Sequence, residues 1–518
     1  MQLSKGSLEW AKNHINRFYD SDFYVKPFEF KAIWSNWGEV SHHLSERSLG
    51  DLISLVKRPL IYPTPKHSGG YRMVHQLDPL DSIIYAAMTR EVAEYIESRR
   101  INTSDDVVFS YRIKVNENGE LFDNEVGYEK FKNKSVEYAG ANNYVLVTDI
   151  TDFYNQIYHH RLQNAIQSCD NGLDEISKLI ENFMMELTNQ VSRGIPVGPS
   201  SSIVMAEALM IDIDEYIIGK DLPYIRYVDD IRIFSDDKNI LNTVLHDLTS
   251  YLYSNHRLIL SSSKTKILNS DEYVAKYIDD PHELEKTEIH NAIRELNLAV
   301  SDDYGFIEMT QSIDTLPPQS RIKAQGKAFQ SFLDMIISFE RLDLGLSRHI
   351  LRRSKYLKSR AILNQVLINF DFFTPVIRDV ILYLDSVTSD KMFEYNQPLI
   401  ESIVTSAATK DLPHIGYWLR NYLASTKFTR RSNILTQFVL RGSLREQGIH
   451  AITQKKIPWV REHKDHIDQV GPWDRRAIIY SSQILSKDER NHWMNAISRR
   501  DDIVDKSIAS YIKSVGYT

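Results

Sequence analysis

Three carboxylates stand where apolar strands would end. Asp149 closes the run Tyr144-Val145-Leu146-Val147-Thr148, and Asp229-Asp230 lies between Tyr224-Ile225-Arg226-Tyr227-Val228 and Ile231-Arg232-Ile233-Phe234. An aspartate after a strand is an ordinary helix cap, and an Asp-Asp pair suits a solvated turn. With apolar residues on both sides, however, these acids project from a packed sheet. Clustered there, they repel and rise in pKa unless a cation neutralises them. With no Cys or His nearby, such hard oxygen ligands favour Mg²⁺ or Mn²⁺. Asp149 plus Asp229 would make a two-metal site for in-line displacement at phosphorus, one ion activating a hydroxyl and the other carrying a triphosphate.

The elements that must hold these acids follow from periodicity and turn signals. Residues 1–60 read as mixed helix rich in aromatics, from Trp10 to Trp37. Residues 60–74 read as a hairpin with a basic tip, followed by a helix over Ser82–Arg99. The polar, Asn- and Gly-containing stretch 115–142 reads as a surface insertion. A buried strand at 144–150 leads to helices over 160–190 and 200–217, then to two short strands around the Asp229-Asp230 turn. A further helix covers 236–255. From about 290 strand signals fade, and 361–385, 398–423 and 431–442 show helical apolar spacing without a clean repeat period.

Composition fits a multi-domain globular protein. The chain has 518 residues, 42% hydrophobic and 25% charged, with too few Gly and Pro for a long disordered segment. The single cysteine, Cys169, excludes a disulfide framework and a cysteine-rich zinc site. The expected setting is a reducing cytoplasm, with no secretory signal and no membrane span. Net charge is −7, yet residues 301–518 hold 31 Lys/Arg against 24 Asp/Glu. A basic second half would suit a polyanion processed by an acidic first half; two domains of unlike surface charge explain it equally well.

Five motifs in order over 60–268 carry a resemblance. Asp149-Ile150-Thr151-Asp152-Phe153-Tyr154 with Ile157 resembles the first palm motif of reverse transcriptases, Gly194-Ile195-Pro196-Val197-Gly198-Pro199-Ser200-Ser201 the second, and Tyr227-Val228-Asp229-Asp230 the third. Lys264-Thr265 falls where the fourth places its lysine, and Tyr71-Arg72-Met73-Val74 is similar to the fingers motif. The resemblance implies that Asp149 and Asp229 bind two metal ions with the Ile150 carbonyl, supported by Asp230. It implies that Tyr154 lies under the sugar and excludes a 2′-OH, although a core tyrosine would look the same. Arg72 and Lys66 would grip the triphosphate, Lys66 suiting a solvated hairpin tip as well. Gly198 would let backbone approach the nucleotide. Lys264 would protonate pyrophosphate, or be a surface lysine.

Val197 replaces the Gln that templated enzymes carry before the second-motif glycine, and over 200 helical residues stand where a small thumb would be. That plan resembles the abortive-infection reverse transcriptases of bacteria, the AbiK-like, prophage-borne family. The likeness implies an α+β palm and fingers followed by an all-α, HEAT-like helical-repeat domain. Its divisions fall at 1–143 for N-terminal helices and fingers, 144–285 for the palm and 290–518 for the helical domain. It implies protein-primed, template-independent addition of deoxynucleotides in antiphage defence, single-stranded DNA attached covalently to the protein, and a trimeric or hexameric ring. The priming hydroxyl stays open among Tyr19, Tyr24, Tyr62, Tyr356 and others. Two other readings remain: a templated reverse transcriptase copying a noncoding RNA, and a non-enzymatic nucleotide-sensing scaffold. The basic cluster Arg352–Arg360 would guide a nascent strand or form a solvated helix face.

Overall fold

In a computed structural model, which describes residues 1–19, 21–66, 70–123, 127–278, 318–339 and 342–515, six strands are present among the described residues. They are β1 (Leu60–Pro65), β2 (Tyr71–Gln76), β3 (Tyr144–Asp149), β4 (Tyr224–Tyr227), β5 (Asp230–Ser235) and β6 (Lys266–Asn269). β1 and β2 form the expected hairpin, closed at its tip by the Lys66 N–H donating to the Gly70 carbonyl at 3.0 Å. The other four make an antiparallel sheet in the order β4-β5-β3-β6. β3 is central, and Val145, Leu146 and Val147 are buried on both of its faces, as a continuous apolar run requires.

The chain divides into two compact units. The first comprises Met1–Ser21, Leu44–Leu60 and His75–Glu288; the second comprises Asp22–His43, Ile61–Val74 and Ile289–Thr518. In the first, the sheet is backed by helices. The helix Pro79–Arg99 starts three residues before the expected Ser82, because the Asp78 side chain caps the Leu80 N–H and Pro79 fits the first turn. Ser200–Ile218 is likewise buried along most of its length.

The stretch 115–142 is not a surface insertion throughout. Residues Tyr128–Ala141 form a helix whose Phe131 and Ala139 join Val145, Val147, Ile225, Phe234 and Tyr273 in one hydrophobic cluster. Its apolar positions are few and widely spaced among Lys, Glu and Asn, so the amphipathic signal is faint. A helix follows β6 at Ser270–Tyr277.

The described part of the second unit beyond residue 318 is entirely helical. The helices Leu344–Tyr356, Ile377–Val387, Pro413–Ser425, Leu444–Thr453, Pro472–Ser481 and Ile503–Val515 pack in succession, each on the next. Segments from the first tenth of the chain belong to this array. Arg445 makes a two-pronged ion pair with the buried Glu29 at 2.6 and 2.7 Å, Phe28 stacks on Tyr480, and Trp418 donates to the Phe23 carbonyl at 3.0 Å. No described helix is long and apolar enough to cross a membrane.

Candidate active site

β3 and β5 pair so that Asp149 lies opposite Asp230, while Tyr227 pairs with Asp230 across β4 and β5. Only Val228 and Asp229 are left to turn the chain. Register alone therefore brings Asp149, Asp229 and Asp230 to one end of the sheet. The three do not share one electrostatic state. Asp230 accepts both Arg232 Nη atoms, at 2.5 and 2.9 Å. Asp149 Oδ2 lies 2.7 Å from Lys264 Nζ, whose side chain is otherwise largely exposed. Burial, then the neighbouring Asp149 charge, push the Asp229 carboxyl up to about 7. Burial works against the Lys264 charge, but Asp149 outweighs it and raises its pKa.

Ile150 bridges Leu260. The Thr151 N–H donates to the Ile259 carbonyl and the Ser261 N–H to the Asp149 carbonyl, both at 2.8 Å. That pattern turns the N–H and C=O of Ile150 away from the 259–261 segment. The loop carrying Lys264 is tied to β3 by Thr148 Oγ1 and Thr265 Oγ1 at 2.7 Å.

The two stretches 149–157 and 194–201 are joined directly. The Ile195 N–H donates to the Tyr154 carbonyl at 3.0 Å, the Gly194 N–H to the Ile157 carbonyl at 2.8 Å, and His159 Nε2 meets the Gly194 carbonyl at 2.7 Å. Tyr154 is half-buried on the short helix Phe153–Gln156. His75 clamps Val197 from both sides: its N–H donates to the Val197 carbonyl at 2.8 Å, and its Nδ1 accepts the Val197 N–H at 3.0 Å. Burial drives the His75 pKa to about 4, which keeps the ring neutral and Nδ1 able to accept. Gly198 has φ +134°, and a Cβ there would stand 2.9 Å from Ser21 Oγ and 3.1 Å from the His75 carbonyl. The space beside it is filled by this chain's own atoms.

A family model described as reverse transcriptase (RNA-dependent DNA polymerase) matches residues 64–332, just over half of the chain. The chain belongs to the reverse transcriptase family. Solved telomerase structures are similar at low identity. Telomerase from Candida albicans with a TWJ fragment of telomeric RNA is 12% identical, over 74% of this chain and 66% of that one, with a TM-score of 0.31. Apo telomerase from Candida tropicalis is 11% identical over 74% and 72%, at 0.31; the same organism's enzyme with the TWJ fragment is 12% identical over 74% and 64%, at 0.33. The chain thus spans about two thirds of the length of the telomerase chains it matches, and scores this low carry no argument about function. No curated protein sequence matches.

Reverse transcriptases work with divalent metal ions, and the donor set here suits one. Asp149 and Asp229 are oxygen donors in mutual repulsion. Among the described residues no group of three or more His, Cys, Asp or Glu side chains forms a cage of its own. A small hard cation that takes one or two carboxylates and completes its shell from substrate phosphates fits such an incomplete set. When bound, it would supply charge neutralisation at phosphorus.

The phosphate-gripping residues expected from the hairpin are exposed, Lys66 just after β1 and Arg72 on β2, both in the second unit. In the basic cluster Arg352–Arg360, Arg352 is paired with Asp379 at 2.8 Å; farther along, Arg475 is paired with Asp505 at 2.8 Å. Arg353 is buried. Sequence reasoning missed Arg232, the partner of Asp230, and the buried Glu207, Asp214 and Arg226 beneath the turn. Their signal was present. Glu207 and Asp214 lie seven residues apart, on the buried face of a helix rich in apolar residues, and Arg226 interrupts an apolar strand.

Proposed function

We propose that this chain is a metal-dependent DNA polymerase that adds deoxynucleotides without copying a template, starts on a hydroxyl of the protein itself and serves bacterial abortive-infection defence. The carrying observation is that Asp149 and Asp229 share one end of the sheet and Asp149 raises the Asp229 carboxyl, while the third acid, Asp230, accepts Arg232. Asp149, Asp229 and the Ile150 carbonyl would hold Mg²⁺, with Mn²⁺ as a substitute; Asp230 would brace the turn through Arg232. Tyr154 would select the sugar, Gly198 would keep the adjoining backbone close to the nucleotide, Arg72 and Lys66 would take the triphosphate, and Lys264 would hand a proton to the leaving pyrophosphate. Untemplated synthesis is supported by Val197, an apolar side chain where templated relatives carry a polar one. The helical array in place of a thumb supports it too. Functionally we divide the chain into fingers before 143, a palm over 144–285 and the helical region from 290, working as a trimer or hexamer in the cytoplasm.

Among the candidate priming hydroxyls, Tyr24 is disfavoured: it is buried and its hydroxyl donates to the Val74 carbonyl at 2.9 Å. Tyr356 is 61% exposed, with the Arg353 guanidinium 5.4 Å from its ring centre. A second reading, templated copying of a dedicated RNA, is favoured by the family's RNA-dependent description.

The test is incubation of purified protein with Mg²⁺ and each labelled dNTP, without template or primer, followed by denaturing gels before and after protease. Label that migrates above the protein, is released by protease and is absent from Asp229→Ala/Asp230→Ala supports the proposal. Label that appears only with added or co-purified RNA favours the templated enzyme, and label retained by the double variant overturns both.

A further inference from the structure

We infer that Ser110, acting with the buried pair Glu207 and Arg226, is the positioning device of the catalytic turn: it holds Val228 in a left-handed conformation and thereby aims Asp229. The inference rests on the reading of Asp229 as a catalytic carboxylate. Val228 has φ +57°. It is the first of the two residues that turn β4 into β5, a position where a positive φ ordinarily selects glycine. A β-branched residue there is strained, and such strain persists only where the surroundings impose it.

The surroundings do impose it. The Val228 N–H donates to Ser110 Oγ at 2.8 Å, and the Val228 carbonyl accepts from Arg226 Nη1 at 3.1 Å. Both polar groups of the strained residue are thus engaged, and neither partner is free to move. Ser110 Oγ donates to Glu207 Oε1 at 3.1 Å. Glu207 also accepts from Arg226 Nη2 at 2.8 Å and from Arg100 Nη2 at 2.7 Å. Arg226 Nε and Nη2 in turn bond Asp214, at 2.6 and 2.7 Å. Ser110, Glu207, Asp214 and Arg226 are at most 1% exposed.

The segment that supplies Ser110 is itself registered on β4. The Arg226 N–H donates to the Val107 carbonyl at 2.9 Å, and the Phe109 N–H to the Arg226 carbonyl at 3.2 Å. In a water-excluded site, hydrogen bonds to charged groups are strong and their geometry is rigid. A network that served stability alone would gain nothing by ending on a valine forced into a glycine's conformation. One that serves aim would, because the next residue is Asp229.

The test compares Ser110→Ala, Ser110→Ala/Val228→Gly and Asp229→Asn with the wild type, by nucleotide incorporation and by hydrogen exchange of the 225–231 backbone. Ser110→Ala removes both bonds of the hydroxyl. The expected result is a kcat loss of about tenfold to a hundredfold, with KM for the nucleotide changed less than about twofold. Faster exchange would be confined to the turn. Glycine takes φ +57° without penalty, so adding Val228→Gly restores kcat to within a few-fold of wild type. A generally weakened fold would not be rescued this way. Ser110→Ala at wild-type rate, or a double variant no better than Ser110→Ala, overturns the inference. If Ser110→Ala alone does not fold, the double variant decides: folded and active supports the clamp, unfolded overturns it. Asp229→Asn separates the two layers, because full activity there removes the underlying reading. An inactive Asp229→Asn beside a fully active Ser110→Ala removes only the clamp.

Discussion

Two groups of acids lie along the same sheet, and they are solved in opposite ways. Glu207 and Asp214 are buried beneath the turn and receive Arg100, Arg226 and the Tyr224 hydroxyl. Burial works to raise the Glu207 carboxyl, but Arg100 and Arg226 outweigh it and hold the group below its usual range. At the sheet end, no guanidinium among the described residues pairs with Asp229, and burial with Asp149 carries it up to about 7 in spite of Lys264. The residue types are the same; the difference is whether the fold has already supplied the cation. A complete set of counter-charges makes a support, and an incomplete one leaves a place for a charge that arrives with substrate.

The comparison breaks first at Arg226. Arg226→Met would leave Glu207 and Asp214 buried without their main counter-charge, at a cost of about 3–5 kcal/mol, so denaturant unfolding should show a large fall in midpoint or no folded protein. A change under about 1 kcal/mol would show that the lower acids are not held by charge.

Asp229→Asn should behave in the opposite way. Incorporation should fall on the order of a thousandfold, since several kcal/mol of charge stabilisation at phosphorus is lost. Stability near neutral pH should rise by on the order of 1 kcal/mol, discounted for the solvent that reaches the half-buried group. The sign follows from linkage. The folded-state pKa is raised, so the unfolded chain binds fewer protons between pH 4 and 7, and wild-type stability from this group falls as pH climbs through that window. Melting temperatures at pH 5 and pH 8 should therefore differ more in the wild type than in Asp229→Asn. Added divalent ion should raise the pH 8 value in the wild type alone.

The smallest effect is expected at Lys264. Its ion pair with Asp149 is largely exposed, so Lys264→Met should change stability by less than about 1 kcal/mol. Removing a positive charge from the site should lower the ion concentration that half-saturates the melting shift by a few-fold. An unchanged or higher value would mean that Lys264 and the ion do not compete for Asp149.

The sheet end was legible because local patterns specify it. Asp149 and the Asp229-Asp230 turn are flanked by apolar strands, and antiparallel register does the rest. The helix Tyr128–Ala141 was not, since its few buried positions are hidden among Lys, Glu and Asn. Ser110, Glu207 and Arg226 were missed for another reason. A charge in an apolar segment shows only that a partner must exist, and the partners lie up to 118 residues apart. The grouping of 22–43 and 61–74 with the C-terminal helices is set by contacts of the same long range, which no local period reports.

The Glu29–Arg445 pair spans 416 residues, and this distance has a consequence in time. A chain made at about 5–20 residues per second exposes Glu29 for about 20–80 seconds before Arg445 exists to meet it. Until then Phe28 lacks Tyr480 as well, and the carboxylate that ends fully buried must stay in water. The second unit therefore closes only after Arg445 and Tyr480 have been made, and a chain cut short near residue 290 would keep its sheet segments while its early helices waited for partners that never came.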